Sequence, residues 1–380
     1  MAGAERPLRV AFLSPCYWPE VRRGGERLVH ELTTGLARRG HRPRLITSHP
    51  GLTRRSVEDG VEIVRHWRPP EGRLRRRRYE DHIAHVPFSY LSLLAGDYDL
   101  VQAMHVTDGL AAARWSERTG RPSVLAYLGI PDRRGLVALR RRLEITVRAG
   151  RGAAAITTVS RHAAKAFDRW LGLPARAIYP AVDPARFQPC APKAEAPTVF
   201  CAASAEQPAK RVGLLVDAFA LVRRERPDAR LVLLRPRDQR LAATLSATPG
   251  VELLDDDPDV LAPAYSAAWA TALPSIGEAF GLVLAESLAC GTPAVGSQHG
   301  GIPEVVDEPS IGRVFPKDEP ESLAAALLEA FELHQDPGTA EACRRRAAAF
   351  SPERLVGAYE ELYAEVLTSG ASAPAGAGRR

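Results

Sequence analysis

Two glutamates, Glu278 and Glu286, stand eight positions apart in "SIGEAFGLVLAESLACGTPAVGS", where an apolar helical pattern begins near Gly281. A helix starting there leaves the amides around Phe280, Gly281, Leu282 and Val283 as unpaired donors at the positive end of the helix dipole, a setting suited to phosphate. Each carboxylate offers two acceptor oxygens, which match vicinal hydroxyls. Two acids flanking an amide cluster therefore suit a ligand that carries both hydroxyls and phosphate. The plain alternative is a solvated loop acid at 278 and an acid near a helix start at 286.

A second candidate turn is "SPCYWPEVRRGGERL", in which Gly24 and Gly25 directly precede a helical pattern. Glycines let the backbone approach an anion closely, and the helix start supplies free N–H groups. The turn is not GxGxxG, and no acid follows at the spacing of a ribose contact, which argues against a nicotinamide enzyme.

Loops of this kind need strands and helices to hold them. "LRVAFLS" reads as a first buried strand, "GERLVHELTTGLARRG" as a helix and "RPRLITS" as the next strand, with "YDLVQAMH", "PSVLAYLG" and "AAAITTVS" as further strands of the same sheet. The pattern then restarts with strand "PTVFCAA", helix "VGLLVDAFALVRRERP", strands "ARLVLLR" and "ATALPS", and helix "GLVLAESLACG". Such alternation is the signature of parallel βαβ units. The aperiodic, Pro- and Ala-rich stretch over 179–197 reads as a linker between two doubly wound α/β domains, which bind ligands at the carboxyl ends of their strands.

At 380 residues, 45% hydrophobic and 25% charged, the chain suits two folded domains. Its five scattered cysteines form no CxxC pair, which argues against a disulfide framework and a zinc site and favours the reducing cytoplasm. The start lacks the apolar core of a signal peptide, and no apolar run approaches the roughly 20 residues of a membrane span. Net charge is +6, with arginines concentrated over 73–78 and 133–151. In the second stretch Leu136, Leu139, Leu143 and Val147 recur at helical spacing, so the arginines border an amphipathic face. That face is either plainly solvated or a peripheral contact with the inner face of a membrane. Nucleic acid is disfavoured, because no aromatics interleave and no recognisable module is present.

The block "PSIGEAFGLVLAESLACGTPAVGSQHGGIPEVV" resembles the E-x7-E signature of family 4 retaining glycosyltransferases, and "PEVRRGGERLVHELTTGLARRGHRPRLITS" and "AITTVSRHAAKAF…YPAVDPARF" are similar to other parts of that family, so the resemblance covers roughly residues 8–367. It implies the GT-B fold, two Rossmann-like doubly wound domains facing a central cleft. It also implies an acceptor-binding domain over 1–180, a nucleotide-sugar-binding domain over 181–350 and a helix over 351–368 crossing back to the first domain, while the composition of the end over 369–380 reads as a disordered tail.

By the same resemblance Glu278 contacts the donor sugar, Glu286 the nucleotide ribose, and the amides near Gly281 and Leu282 the sugar and diphosphate. In "CAASAEQPAKRV", Lys210 matches a diphosphate-gripping lysine, whereas the usual arginine falls on Ser204 or Ala205 and leaves Arg211 as its substitute. The family's sugar-contacting histidine is missing from "AYLGIP", where Leu128 precedes Gly129, and His105 in "YDLVQAMHVTDGL" is the remaining candidate, with Asp108 a weaker one.

The expected activity is retaining transfer of a sugar from a UDP- or GDP-sugar to a polysaccharide, lipid or small natural product, with no metal and no cofactor. A nucleotide-sugar epimerase, a glycosyl phosphorylase and a non-catalytic basic surface-binding protein stay open as alternatives.

Overall fold

Runs of β-branched and aliphatic residues bury both faces in a parallel sheet, and amphipathic helices between them cover those faces. In the computed structural model the chain does this twice. The structure describes residues 6–371 apart from 19, 22, 71, 73 and 256. One unit runs to Tyr179 and resumes at Pro352; the other is Pro180–Ser351.

The first unit holds β1 (Arg9–Leu13), β2 (Arg42–His49), β3 (Arg54–Glu58), β4 (Val61–Trp67), β5 (Leu100–Ala103), β6 (Ser123–Tyr127), β7 (Ala155–Thr158) and β8 (Arg176–Ala177). Their order in the sheet is β3-β4-β2-β1-β5-β6-β7-β8. β1 pairs in parallel with β2 on one side and β5 on the other, so strand order reverses there and opens a crevice above their carboxyl ends. Val10 to Leu13 are wholly buried at this centre. β3 and β4, absent from the sequence reading, form an antiparallel hairpin. Asp59 and Gly60 turn it with positive φ of 49° and 79°, the combination a two-residue I′ turn requires.

The helix Pro352–Ala371 belongs to this first unit. Tyr359 and Tyr363 are buried; the Tyr363 hydroxyl donates to Gln102 Oε1 at 3.1 Å and that of Tyr359 lies 3.2 Å from Thr157 Oγ1. The helix continues three residues past 368, and the rest of the expected tail, 372–380, lies outside the described residues.

In the second unit β9 (Thr198–Cys201), β10 (Arg230–Leu234), β11 (Val251–Leu254), β12 (Ala270–Leu273), β13 (Ala294–Ser297) and β14 (Gly312–Phe315) are all parallel. Their order is β11-β10-β9-β12-β13-β14, which reverses between β9 and β12. Of the stretch 179–197 read as a linker, residues 180–197 are irregular but docked on this unit: Val182 N donates to Phe350 O at 2.8 Å, Phe187 is buried, and Lys193 Nζ donates to Ala268 O at 2.7 Å. Proline and alanine enrichment marks absence of a repeating pattern, not absence of packing.

The basic stretch read as one amphipathic helix is two helices, Arg133–Ala138 and Arg142–Arg151. Leu139 is extended and Arg141 left-handed, with φ of 61°, so the leucine spacing does not continue through the break. Among the described residues no helix is long and apolar enough to cross a membrane.

Candidate active site

The strand reversal of the second unit places the loops after β9 and β12 side by side. Ile276 N donates to Ala209 O at 2.8 Å, joining them, and Lys210 Nζ donates to Glu278 Oε2 at 2.5 Å. Both side chains are partly exposed, at 27% and 19%. A third loop, after β13, joins through Gly301 N, which donates to Glu278 O at 2.9 Å. A side chain at 301 would strike the backbone of Ala279 and Phe280, so the approach depends on glycine there.

Gly281, with φ of 106°, turns the chain into the helix Leu282–Ala289. Leu284 N donates to Gly281 O at 2.9 Å, while Leu282 and Val283 sit in the first turn, where no intrahelical carbonyl is available to their amides. Phe280 is buried edge-on against Phe350 with centroids 5.1 Å apart. Its side chain anchors the turn.

Glu286 is buried one turn into the helix, and Tyr265 Oη donates to its Oε2 at 2.9 Å. Burial and the Glu286 carboxylate push the Tyr265 phenol well above its ordinary pKa. Tyr265 therefore keeps its proton and holds the glutamate in one orientation. Phe200 lies edge-on to the tyrosine ring at 5.0 Å and fixes it in turn.

Lys210 and Arg211 diverge. Arg211 has φ of 55°, and its Nη1 donates to Asp318 Oδ1 at 2.7 Å, while His299 Nε2 lies 2.8 Å from Asp318 Oδ2. Arg211 beside Asp318 holds that carboxyl below the usual range. The structure thus brings together Lys210, Glu278 and the turn at Gly281, and sets Arg211 in a separate cluster with Asp318 and His299. Neither those two residues nor Tyr265 was anticipated.

In the first unit, Gly24 and Gly25 open the helix Gly24–Arg38. Glu26 Oε2 already accepts from Arg23 N at 3.2 Å. A Cβ on Gly25 would come within 3.2 Å of Leu128 Cδ1, so the glycine allows the helix start to lie against the turn after β6. His105, just beyond β5, caps the helix Val106–Thr119: its Nδ1 accepts from Thr107 N at 3.3 Å. An accepting Nδ1 puts the imidazole proton on Nε2, which leaves Nε2–H as a donor. Burial and the neighbouring His82, whose ring meets His105 edge-on at 5.0 Å, push the His105 pKa down to about 3, so the ring is neutral at pH 7. Asp108 turns the other way: it is fully buried, 2.9 Å from His85 Nδ1, and accepts from Ser89 Oγ at 3.0 Å.

A cavity of about 800 Å³ in this unit is walled by residues just before β6 and β7, Pro122 and Ala154 among them, and by the C-terminal helix. It lies at the amino ends of the strands, away from the loops that carry the candidate residues.

The family model described as Glycosyltransferase Family 4 matches residues 22–186, and that described as Glycosyl transferases group 1 matches residues 196–332. The D-inositol 3-phosphate glycosyltransferase of Saccharomonospora viridis is 32% identical over 51% of this chain and 51% of its own length. The enzyme of the same name from Salinispora arenicola is 29% identical over 73% of this chain and 71% of its own. The chain thus spans about half the length of the first of these relatives. Among solved structures, sucrose-phosphate synthase from Thermosynechococcus elongatus superposes with a TM-score of 0.75 over 95% of this chain and 99% of its own, at 20% identity. Anabaena HepE in complex with UDP-glucose does so with a TM-score of 0.71 over 95% and 100%, at 19% identity. At those identities the likeness establishes the fold, GT-B with two Rossmann-like domains.

Proposed function

The chain belongs to the family 4 glycosyltransferases, and from that premise we propose that it moves a sugar, with retention, from a nucleotide diphosphate sugar to an acceptor hydroxyl. The observation that carries this reading is the 2.5 Å pair of Lys210 and Glu278 at the strand reversal of the second unit. A diphosphate sugar offers each of them a better partner: phosphate oxygens for the ammonium, sugar hydroxyls for the carboxylate. Leu282 and Val283 add first-turn amides for the phosphates. Glu286, oriented by Tyr265, accepts from the ribose hydroxyls.

In the reaction the bond from the anomeric carbon to the phosphate oxygen breaks, and a bond to the acceptor oxygen forms on the same face. The acceptor proton passes to the departing phosphate. Lys210 stabilises the negative charge that grows on that phosphate. Arg211, committed to Asp318, contributes to the grip only by leaving that carboxylate. In the first unit, His105 offers its Nε2–H to a ligand hydroxyl, and the backbone at Gly24 and Gly25 frames the acceptor side.

UDP is the favoured nucleotide, on the strength of the Anabaena protein's complex, with GDP second. The five free thiols support a reducing compartment, the cytoplasm. Incubation with a UDP-sugar and candidate acceptors, followed by NMR of the product's anomeric proton, tests the reaction. A new glycoside of unchanged anomeric configuration is expected. An epimerised nucleotide sugar, phosphorolysis, or binding without turnover would each replace this reading.

The basic segments support a peripheral contact with an anionic bilayer. Arg140 N donates to Arg78 O at 2.6 Å and the Arg140 guanidinium lies over the Tyr79 ring at 5.6 Å, so the two arginine-rich stretches form one patch. Val137 and Leu143, 60% and 42% exposed, stand among them. Replacing Arg140 and Arg141 by Gln should reduce co-sedimentation with phosphatidylglycerol vesicles, at about 1 kcal/mol per charge. Wild-type protein that stays in the supernatant would remove the membrane contact.

A further inference from the structure

Arg211 departs from two local preferences at once. Among the described residues of the second unit it is the one non-glycine with a left-handed backbone, φ 55° and ψ 37°, a conformation that strains a residue bearing a Cβ. It also stands directly before the helix Val212–Glu225, where the positive end of the helix dipole disfavours a cation. Capping does not offset either effect, because the Arg211 side chain makes no hydrogen bond to the helix start. Residues that break local rules in this way cluster at functional sites.

What the arginine does make is an ion pair. Asp318, just past β14, accepts from Arg211 Nη1 on Oδ1 at 2.7 Å. His299, just past β13, shares the same carboxylate, its Nε2 lying 3.0 Å from Oδ1 and 2.8 Å from Oδ2. The Asp318 side chain is 47% exposed, so water competes for it and the pair holds only weakly. If the guanidinium left, His299 and water would still satisfy the carboxylate.

Lys210, the residue before, is in a similar position, its ammonium held by Glu278. Two adjacent cations at the carboxyl edge of this sheet are thus each neutralised by an acid, one from the loop after β12 and one from the loop after β14. A diphosphate carries more charge than a carboxylate and offers more acceptor oxygens, and an arginine fork takes two of them at once.

We propose that Asp318 is a keeper: it holds Arg211 away from the donor subsite until a diphosphate enters, whereupon the guanidinium crosses to join Lys210 and the carboxylate stays with His299. This rests on the reading that the second unit binds a nucleotide diphosphate sugar. It adds to that reading a residue, Asp318, that lowers donor affinity and makes the grip close only around its ligand. A plain staple between loops is the other role open to the same contacts, and the two differ in sign: a staple loses when either end is removed, whereas a keeper's removal frees the arginine.

Calorimetric titration of UDP, with GDP and ADP in parallel, into wild type, Lys210→Ala, Asp318→Asn, Arg211→Gly and the double variant Arg211→Gly/Asp318→Asn separates the two. Glycine suits the left-handed backbone at 211, so that variant removes the guanidinium and keeps the turn. Asp318→Asn should tighten nucleotide binding about threefold to fivefold, the scale of an exposed ion pair. Arg211→Gly should weaken it about tenfold, the loss expected for a charged hydrogen-bond partner. The double variant should bind as Arg211→Gly does, because the change at 318 acts only through the arginine. Binding that falls in Lys210→Ala but is weakened or unchanged in Asp318→Asn, or unchanged in Arg211→Gly, would overturn the proposal and leave the donor reading standing. Wild type that binds none of the three nucleotides would remove the donor reading and the keeper with it.

Discussion

Lys210 and Glu278 satisfy each other at 2.5 Å, and a diphosphate sugar would exchange that one ion pair for two sets of contacts. Because charge on the leaving phosphate is larger in the transition state than in the bound donor, Lys210→Ala should lower kcat by about 10²-fold while weakening donor affinity less. Wild-type kcat and KM in that variant would detach this loop from the diphosphate. His105 makes a different kind of prediction. Its pKa of about 3, against an ordinary 6.5, means that the unfolded chain takes up a proton the native ring refuses, so its contribution to stability falls as pH drops from 6.5 towards 3. Across roughly pH 5 to 8 the native ring stays neutral. His105→Gln should therefore lower the rate without changing the shape of the pH–rate profile, and loss of an inflection near neutrality would contradict a neutral donor. Glu278 stood out by its type and its spacing from Glu286, whereas Lys210 and His105 were read only through the family resemblance. Tyr265 and Asp318 were not legible, since each acts through a partner 21 and 107 positions away that only the fold brings near.

Among elements, the strands that centre each sheet and the helices that follow them were readable from apolar runs and helical spacing, as "RVAFL" and "LVLAESLA" illustrate. The β3–β4 hairpin was missed although Asp59-Gly60 signals it, because its edge strand, "RRSVE", carries little apolar pattern. Spacing alone also joined the two basic helices across Leu139, since leucine periodicity is blind to a left-handed residue such as Arg141. The C-terminal helix offers a test at this scale. Glycine in a helix interior is usually worse than alanine by about 0.5–1 kcal/mol. Gly35, however, faces Val356 of that helix so closely that an added methyl collides with its Cγ2. Gly35→Ala should therefore destabilise the first unit by about 1–3 kcal/mol in urea denaturation, and a gain in stability would show the helix seated differently.

At the level of the whole molecule, each unit is a parallel sheet whose strand order reverses once near its centre, between β1 and β5 or between β9 and β12, and each reversal is surrounded by the residues argued here to bind ligand. The second of these is proposed to hold a nucleotide diphosphate sugar. Titration calorimetry of UDP, GDP and ADP against wild type and Glu286→Ala tests it most directly. At least one nucleotide should bind wild type, and Glu286→Ala should weaken that binding by about 1–3 kcal/mol, because ribose hydroxyls lose a charged acceptor. Wild type that binds none of the three, or a Glu286→Ala variant with undiminished affinity, would contradict the account.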